Sequence, residues 1–304
     1  MTSLTLLICT YNRVELLADC LKSVVESISK GGLDQVEVLI VNNHESSLSQ
    51  VTEVINLLNW PISIIQEDIA GLSHARNTGI AHVKDAWIGF VDDDALISPS
   101  YLTTALDIIR ENKYDCFGGH IKSWWKYPRP RWLSPDFGSK PILRAKRDSI
   151  NSEEYNWGSN IFIKKAALND IGGFPTYIGM KGNKIGYAAE NIVQDQLRAR
   201  GYLIGYDPKL SINHLVLPAK LKLLWHIRSA YATARDGREV FPDDYTLSGF
   251  LKTTKRIIAA PFKGLFSLTQ TEYYWENWVL DAVIPWAQLI GKINTLTFVR
   301  ISLA

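Results

Sequence analysis

The sequence has almost no net charge and no long apolar run, and each absence excludes a class of protein. Its 33 Lys and Arg nearly balance its 31 Asp and Glu, which leaves a net charge of +2 and no sign of a nucleic-acid binder. No stretch of about 18 residues is both apolar and uncharged, so a membrane-spanning helix is not expected. Residues 4–9 are too short for the apolar part of a signal peptide.

Cysteine is also scarce. The three cysteines, Cys9, Cys20 and Cys116, are an odd number, and their spacing matches no common metal site. We therefore expect buried thiols in a reducing compartment. With no signal peptide in the pattern, this predicts a cytoplasmic protein.

What the chain does have is enough apolar sequence for a sizeable core. It is 304 residues long and 46% hydrophobic, which allows one main domain and an appendage. Apolar β-forming stretches alternate with segments of helical spacing, a pattern typical of βαβ units and a mostly parallel sheet. Beyond Pro218 the pattern is helical throughout. We predict an α/β domain over residues 1–217 and a helical extension over 218–304. The predicted strands include residues 4–9, 36–41, 62–65 and the stretch 87–96.

The stretch 87–96 runs from five strand-forming residues straight into three carboxylates, Asp92, Asp93 and Asp94. Ligands of open α/β sheets bind outside the carboxyl ends of the strands. Adjacent carboxylates repel one another and resist desolvation, so the triplet indicates a site for a hard divalent cation. Strand alternation would place Asp92 and Asp94 on one side and Asp93 on the other. The alternative is a solvated acidic turn before the helix that begins near Pro99.

Two further segments allow two interpretations each. Residues 122–147 carry eight basic residues and one acidic residue, with four prolines and several aromatics between them. This segment is either a flap over a polyanionic or glycan ligand or a basic surface loop held by aromatic anchors. From Phe250 onward, basic residues alternate with apolar ones, which fits a packed helix and a membrane-surface helix equally well.

The order of the motifs resembles the family-two inverting glycosyltransferases of the GT-A fold. The resemblance covers residues 4–214. It implies a Rossmann-like, mostly parallel sheet flanked by helices and a helical C-terminal extension, and the transfer of a sugar from a nucleotide diphosphate donor. The motifs are Cys-Thr-Tyr-Asn-Arg at residues 9–13, Gly71 with Ala-Arg-Asn at 75–77 and Gly79, Phe-Val-Asp-Asp-Asp at 90–94, Gly-Ser-Asn at 158–160, and Tyr-Asp-Pro at 206–208 leading to His214.

The resemblance implies a donor site around the acidic triplet. Asp92 would lie near the ribose, and Asp94 with Asp92 and the late histidine, His214, would hold Mn²⁺ or Mg²⁺ against the donor diphosphate. Arg76 would bind phosphate or brace the acidic pair. The remaining donor residues implied are Thr10, Tyr11, Arg13, Gly71 and Asp93.

The base-recognition position departs from the family pattern. Where the family commonly has an aspartate that pairs with the uracil imide, this chain has Asn43. A carboxamide oxygen can still accept that hydrogen bond, but without charge. Uracil, thymine and guanine therefore remain open as donor bases.

The resemblance also implies where the acceptor binds. Glu190 falls at the position of the family's general base, although the acidic residue that usually precedes it is Ala189 here. A carboxylate suits this role because an attacking hydroxyl needs a nearby proton acceptor. Asp195 is the alternative base, and a site with no positioned base is a third possibility. Trp157, Gly158 and Asn160 would lie between donor and acceptor.

Together these features predict a metal-dependent inverting glycosyltransferase of the hexosyltransferase type. It would move a sugar from a UDP-sugar to a saccharide or lipid-linked saccharide in polysaccharide or glycoconjugate synthesis. We expect it in the cytoplasm, with peripheral membrane contact through the C-terminal helices as one option. The alternatives are a sugar nucleotidyltransferase and an inactive glycan-binding module on the same fold. The first would need a glycine-rich loop after the first strand, where residues 10–13 have no glycine.

Overall fold

A computed structural model of the protein describes residues 3–267 and 271–302. The described residues group into two compact units. The first holds the residues up to Trp124, Gly138–Tyr177 and Ala189–Leu215, and the second holds Trp125–Phe137, Ile178–Ala188 and the residues from Val216 on. The functional boundary between residues 217 and 218 stays a prediction.

The first unit is built on one nine-stranded sheet with the spatial order β3-β2-β1-β4-β8-β6-β9-β5, in which β7 pairs with β9. Strands β1 to β4 are parallel to one another, as the alternating pattern predicts. Beyond them the sheet is mixed, because β8 runs antiparallel to both β4 and β6. The α/β prediction is confirmed. The strands are β1 (Leu4–Thr10), β2 (Val36–Asn42), β3 (Ile62–Gln66), β4 (Trp87–Val91), β5 (Ala95–Ile97), β6 (Cys116–Trp124), β7 (Asp148–Ser149), β8 (Asn160–Lys164) and β9 (Ile204–Leu215).

Helices of the first unit follow the apolar periodicity of the sequence. The first of them ends where the paired glycines predict, because Gly32 adopts a left-handed conformation (φ 60°) that bonds its N–H to the last helical carbonyls. The helices of this unit are α1 (Val14–Gly31), α2 (Leu48–Leu57), α3 (Leu72–His82), α4 (Tyr101–Glu111), α5 (Lys165–Ile171) and α6 (Ala189–Ala199).

The core lies on both faces of the sheet, since successive side chains of a buried strand point to opposite sides. In β1, Leu4, Leu6 and Ile8 pack with α1 and α4 on one face. Leu7 packs on the other face with residues of α3, α5 and α6. All three cysteines are free thiols; Cys20 and Cys116 are buried and Cys9 is partly buried.

The acidic triplet lies in a turn rather than in a strand. Strand β4 ends at Val91, and the chain turns at Asp93 and Asp94 before β5 begins. Strand β5 pairs antiparallel with β9, so that Ala95 lies opposite His214, and the N–H of Leu215 donates to the Asp94 carbonyl over 2.9 Å. The triplet therefore lies outside a regular strand, although Asp92 and Asp94 still face the same partner, His214. It is β9 that places His214 beside the turn.

The second unit is mainly helical, with α7 (Leu223–Asp236), α8 (Leu247–Ser267) and α9 (Trp275–Ser302). Its interior includes one ammonium group. Lys292 is 6% exposed and donates from Nζ to the Asp244 carbonyl and to Thr253 Oγ1. Among the described residues, no helix combines the length and apolar content needed to cross a bilayer.

Gly119 marks the closest point between β6 and β9, where their register shifts. A Cβ there would lie 1.9 Å from the Leu210 carbonyl oxygen and 2.7 Å from that of Asp207. Both neighbours are backbone atoms that cannot rotate away. We expect Gly119→Ala to lower the free energy of unfolding by roughly 2–4 kcal/mol in urea denaturation. Lys122→Ala, at an exposed position of the same strand, should change it by less than about 0.5 kcal/mol. An unchanged midpoint for Gly119→Ala would contradict the close contact.

Candidate active site

Three carboxylates and a guanidinium meet at the carboxyl ends of β1 and β4. Asp93 and Asp94 are 3% and 5% exposed, while the side chain of Asp92 is 31% exposed. Thr10 donates from Oγ1 to Asp93 Oδ2 over 2.8 Å. Arg13 Nη1 lies 3.3 Å from Asp93 Oδ1 and 3.4 Å from Asp94 Oδ2. Thr10 and Arg13, both predicted among the donor-binding residues, are thus committed to the acidic triplet.

His214 brings a nitrogen ligand to the same place. Its Nε2 lies 3.5 Å from Asp92 Oδ2 and 3.3 Å from Asp94 Oδ1. One ligand atom from each of these three residues lies within 4.8 Å of the others. Two carboxylate oxygens and an imidazole nitrogen form a donor set that suits Mn²⁺ or Mg²⁺ with further oxygen ligands from a diphosphate. The residues therefore fit a divalent cation.

The two neighbouring carboxyls Asp92 and Asp93 differ in their environments. Burial, and then the charge of Asp94, raises the pKa of Asp93 above its ordinary value. Burial acts on the pKa of Asp92 in the same direction, but the hydrogen bond with His214 and the charges of Arg76 and Arg13 outweigh it and lower that pKa. Asp92 is thus the carboxylate that the surrounding groups hold ionised.

Arg76 braces the acidic pair from α3. It is 3% exposed, and its Nη2 donates to the Gly158 carbonyl over 2.9 Å and lies 3.5 Å from Asp92 Oδ1. Its guanidinium carbon lies 4.9 Å from the ring centre of Phe174. A Cβ on Gly158 would come within 2.9 Å of Nη2, which explains a glycine at this position. Of the two roles predicted for Arg76, this geometry supports bracing.

The predicted base-recognition residue also forms hydrogen bonds within the protein. Asn43 is 6% exposed, its Oδ1 accepts the N–H of Gly71, and its Nδ2 donates to the carbonyls of Glu67 and Ile69. One acceptor position remains on the Asn43 oxygen. Tyr11 packs edge-on against the His44 ring with centroids 4.8 Å apart. The base-binding roles of Asn43 and Tyr11 stay predictions.

The three residues predicted to contact the acceptor lie in different environments. Trp157 is 38% exposed, and Lys140 Nζ lies 3.5 Å from the centre of its ring. Asn160 is fully buried: its Oδ1 accepts from the Tyr101 hydroxyl, and its Nδ2 donates to Leu210 and His120 carbonyls. The structure therefore places Asn160 in the core and not at a surface that an acceptor touches, because its polar groups bridge β8 to α4, β6 and β9.

The two candidate bases on α6 differ in their partners. Glu190 is half-buried in the first turn of the helix, and no donor or cation among the described residues pairs with its carboxylate. Asp195 accepts a hydrogen bond from the Tyr155 hydroxyl over 3.1 Å and pairs with Arg198 over 3.1 Å. Asp195 is therefore already committed, whereas Glu190 is available.

Gln194 is a site residue that sequence reasoning missed. It is fully buried, and its amide bonds both the N–H and the carbonyl of Asn156 while also donating to the Glu190 carbonyl. Asn156 leads into Trp157 and Gly158. The first turn of α6 is thus tied to the segment that contacts Arg76. One signal was present in the sequence: Gln194 lies three residues before Leu197, on the apolar side of a predicted helix.

The basic segment 122–147 is largely occupied by contacts within the protein. In the first unit, Arg144 forms a bidentate pair with Glu154, and Arg147 bonds Asp207 over 2.7 Å. In the second unit, the rings of Trp132 and Phe137 each lie 5.1 Å from that of His226. These contacts favour the anchored loop over a mobile flap. A cavity of about 330 Å³ in the second unit is lined by Pro130, Arg131, Trp132, Tyr274, Trp275 and Glu276.

Comparison with known proteins agrees with the motifs and the fold. The profile of glycosyl transferase family 2 matches residues 5–172, more than half of the chain, so the protein belongs to that family. It is 21% identical to a glucosyl-dolichyl phosphate glucuronosyltransferase of Haloferax volcanii, over 95% of this chain and 96% of that protein. The predicted family is thereby confirmed.

Two solved structures share the fold. The mannosyltransferase PcManGT from Pyrobaculum calidifontis, in complex with GDP-Man and Mn²⁺, matches 98% of this chain and 75% of its own with a TM-score of 0.56 at 17% identity. Residues 1–349 of TarS from S. aureus, in complex with UDP-GlcNAc, match 96% of this chain and 92% of that chain with a TM-score of 0.54 at 12% identity. The GT-A fold prediction is confirmed.

Asn160 provides a test of the core contacts beneath the site. Replacing it by Ala removes the acceptor of the buried Tyr101 hydroxyl and one donor from each of two carbonyls, so we expect Asn160→Ala to lower the free energy of unfolding by about 2–4 kcal/mol. Asn169→Ala, at an exposed position of α5, should cost less than about 0.5 kcal/mol. Urea denaturation measures both. A stable Asn160→Ala variant that fails only in sugar transfer would instead support direct acceptor contact.

Proposed function

We propose that the protein is a metal-dependent inverting glycosyltransferase that moves a hexosyl group from a nucleotide-diphosphate sugar to a saccharide or lipid-linked saccharide. One observation carries this proposal. Asp92, Asp94 and His214 bring two carboxylate oxygens and an imidazole nitrogen together at the carboxyl end of β4, in a chain that belongs to glycosyl transferase family 2. A donor diphosphate bound through Mn²⁺ or Mg²⁺ suits such a site.

The donor end of the reaction needs charge neutralisation, because a diphosphate gathers negative charge as the sugar leaves. A divalent cation held by Asp92, Asp94 and His214 would supply that neutralisation without proton transfer. The chain contributes the positions of those ligands. Arg76 fixes Asp92, and Arg13 with Thr10 fixes the turn that presents Asp94.

The donor base is proposed to be uracil, with guanine and thymine as alternatives. Neighbours of the same fold are complexed with both GDP-Man and UDP-GlcNAc, so the fold accommodates a purine and a pyrimidine. Asn43 has one acceptor position left on its oxygen and lies beside the loop that carries Gly71. That single position suits a ring N–H donor, which uracil and thymine present at N3 and guanine at N1.

Glu190 is proposed as the general base that takes the proton of the acceptor hydroxyl. Inversion needs a base on the face opposite the leaving diphosphate and no covalent intermediate. A carboxylate that accepts this proton must not be neutralised by a neighbouring cation, a condition that Glu190 satisfies and Asp195 does not. The Gln194 contacts hold the Glu190 turn beside the segment of Trp157, whose exposed indole suits the face of a sugar ring.

The acceptor class is proposed from the chemistry of the site and from a relative. A lipid-linked sugar appears in the name of the Haloferax volcanii relative, which matches almost the whole chain. A role in polysaccharide or glycoconjugate synthesis follows from such an acceptor. An inactive glycan-binding module would bind saccharide without turning over a donor, so release of nucleoside diphosphate with and without Mn²⁺ separates it from an enzyme.

Asp94 tests the metal assignment. We expect Asp94→Ala to weaken Mn²⁺-dependent binding of UDP by about tenfold or more in calorimetry, because one of the three proposed ligand atoms is lost. Thermal unfolding checks that the fold is retained. Asp107→Ala, which removes an exposed carboxylate of α4, is the control and should bind as the wild type does. If Asp94→Ala binds UDP and Mn²⁺ with unchanged affinity, the metal assignment is wrong.

Glu190 tests the general base. A panel of nucleotide sugars with Mn²⁺ first identifies the donor by thermal stabilisation. We expect Glu190→Gln to keep the affinity for that donor but to lose turnover by a factor on the order of 10² or more. Asp195→Asn, about one and a half turns further along α6, should lose less than about tenfold, since its carboxylate is held by Tyr155 and Arg198. The opposite ranking of the two variants would assign the base to Asp195.

A further inference from the structure

Helix α8 exposes a row of apolar side chains along one side. Leu247, Leu251, Ile258 and Phe262 are 78%, 53%, 64% and 65% exposed. Their spacing of four, seven and four residues returns to the same side of a helix with 3.6 residues per turn. We call these four residues the apolar row. Isolated exposed apolar residues are common in soluble proteins, but a continuous set on one helix face marks an interaction surface.

The opposite side of α8 packs within its own unit. Thr253, Ile257 and Ala260 are at most 9% exposed. Helix α9 fixes the helix further, because Arg256 Nη1 donates to Gln288 Oε1 over 2.9 Å. Both interpretations drawn from the sequence therefore apply: the helix is packed on one side and presents an apolar row on the other.

The charges beside the apolar row are all of one sign. Lys252 and Lys255 are exposed, and α8 contains no Asp or Glu between Leu247 and Ser267. Two copies of the chain docking α8 against α8 would bring these cations together, since a two-fold interface uses the same patch twice. An anionic surface instead complements them. An apolar face bordered by Lys and Arg is the pattern of a helix lying in the plane of a lipid headgroup layer.

Helix α9 adds aromatic side chains in the same unit. Trp275 and Trp286 are 60% and 52% exposed, and Ile290 is 51% exposed. Trp286 and Ile290 lie four residues apart and Trp275 three turns before Trp286, so the three share one side of the helix. Tryptophan favours the boundary between headgroups and acyl chains because its ring is apolar and its N–H is polar.

We propose that the C-terminal unit docks on an anionic lipid surface through the apolar row of α8, with Lys252 and Lys255 on the headgroups and the exposed tryptophans of α9 contributing. The binding is peripheral. It is independent of catalysis in solution, and for an acceptor anchored in lipid it would raise the local concentration of that acceptor at the enzyme.

Vesicle co-sedimentation of the full chain tests this surface. The probes are vesicles of phosphatidylcholine alone and of phosphatidylcholine with phosphatidylglycerol in equal parts. We expect binding to the anionic vesicles that weakens as salt is added. Ile258→Asp/Phe262→Asp should abolish it. Leu57→Asp, at a position of α2 that is 79% exposed, is the matched control and should leave it unchanged.

A second pair of variants tests the electrostatic contribution of the lysines to vesicle binding. Lys252→Gln/Lys255→Gln should lower the partition coefficient on anionic vesicles by about 25-fold, since each lysine near such a surface contributes about fivefold. Lys22→Gln/Lys30→Gln, at exposed positions of α1, should leave it within about twofold of the wild type.

Three outcomes would overturn the proposal. These are a wild-type protein that stays in the supernatant with anionic vesicles, an Ile258→Asp/Phe262→Asp variant that still sediments, and a wild-type dimer in ultracentrifugation that this variant dissociates. The last result would assign the row to a second copy of the chain. Donor turnover in solution should be equal in the wild type and the row variant. A failure of vesicle binding is thereby distinguished from a failure of the proposed glycosyl transfer.

Discussion

The structure of the site depends on holding three adjacent carboxylates together where β4 ends. Such a cluster is unstable alone, because burial and mutual repulsion both oppose ionisation. Strand β9 stabilises the cluster in two ways. Its backbone bonds the Asp94 carbonyl, and its His214 faces Asp92 and Asp94. Arg13, the residue before α1, and Arg76, on α3, contact the triplet from two further elements. Each of the three carboxylates therefore has two side-chain partners, and these partners offset the cost of burying its charge.

The same interaction links the donor side of the site to α6. Arg76 contacts both Asp92 and the Gly158 carbonyl. A displacement of the segment around Gly158 would therefore move Arg76 and change its contact with Asp92. Gln194 then joins Asn156, two residues earlier, to the first turn of α6. This is a continuous set of polar contacts, all within the first unit. It gives a physical reason for a buried glutamine at position 194 and for a glycine at position 158.

Most of the fold followed from local patterns, and most corrections came from distant contacts. The parallel strands and their helices could be predicted from apolar periodicity, because each element buries a face that its own residues define. The burial of the turn at Asp93 and Asp94 and the burial of Asn160 could not. Both depend on β9, which lies more than 40 residues further along the chain and pairs with β5 and β6. A motif fixes the residue types near a site, but long-range pairing decides which of them face a ligand.

The predicted site residues fall into two groups, according to whether their side chains already have hydrogen-bond partners in the protein. Asn160 and Thr10 use their polar side-chain groups on protein partners, and substrate contact at Asn160 would require breaking three bonds inside the core. Glu190 has no such partner among the described residues, and Trp157 keeps more than a third of its surface exposed. A substrate binds more readily to groups that are hydrated in the free protein, because no hydrogen bond within the protein has to be broken first. We therefore infer that the motif residues of the first group act by positioning, and we propose that the selectivity for a particular sugar and acceptor lies with residues of the second.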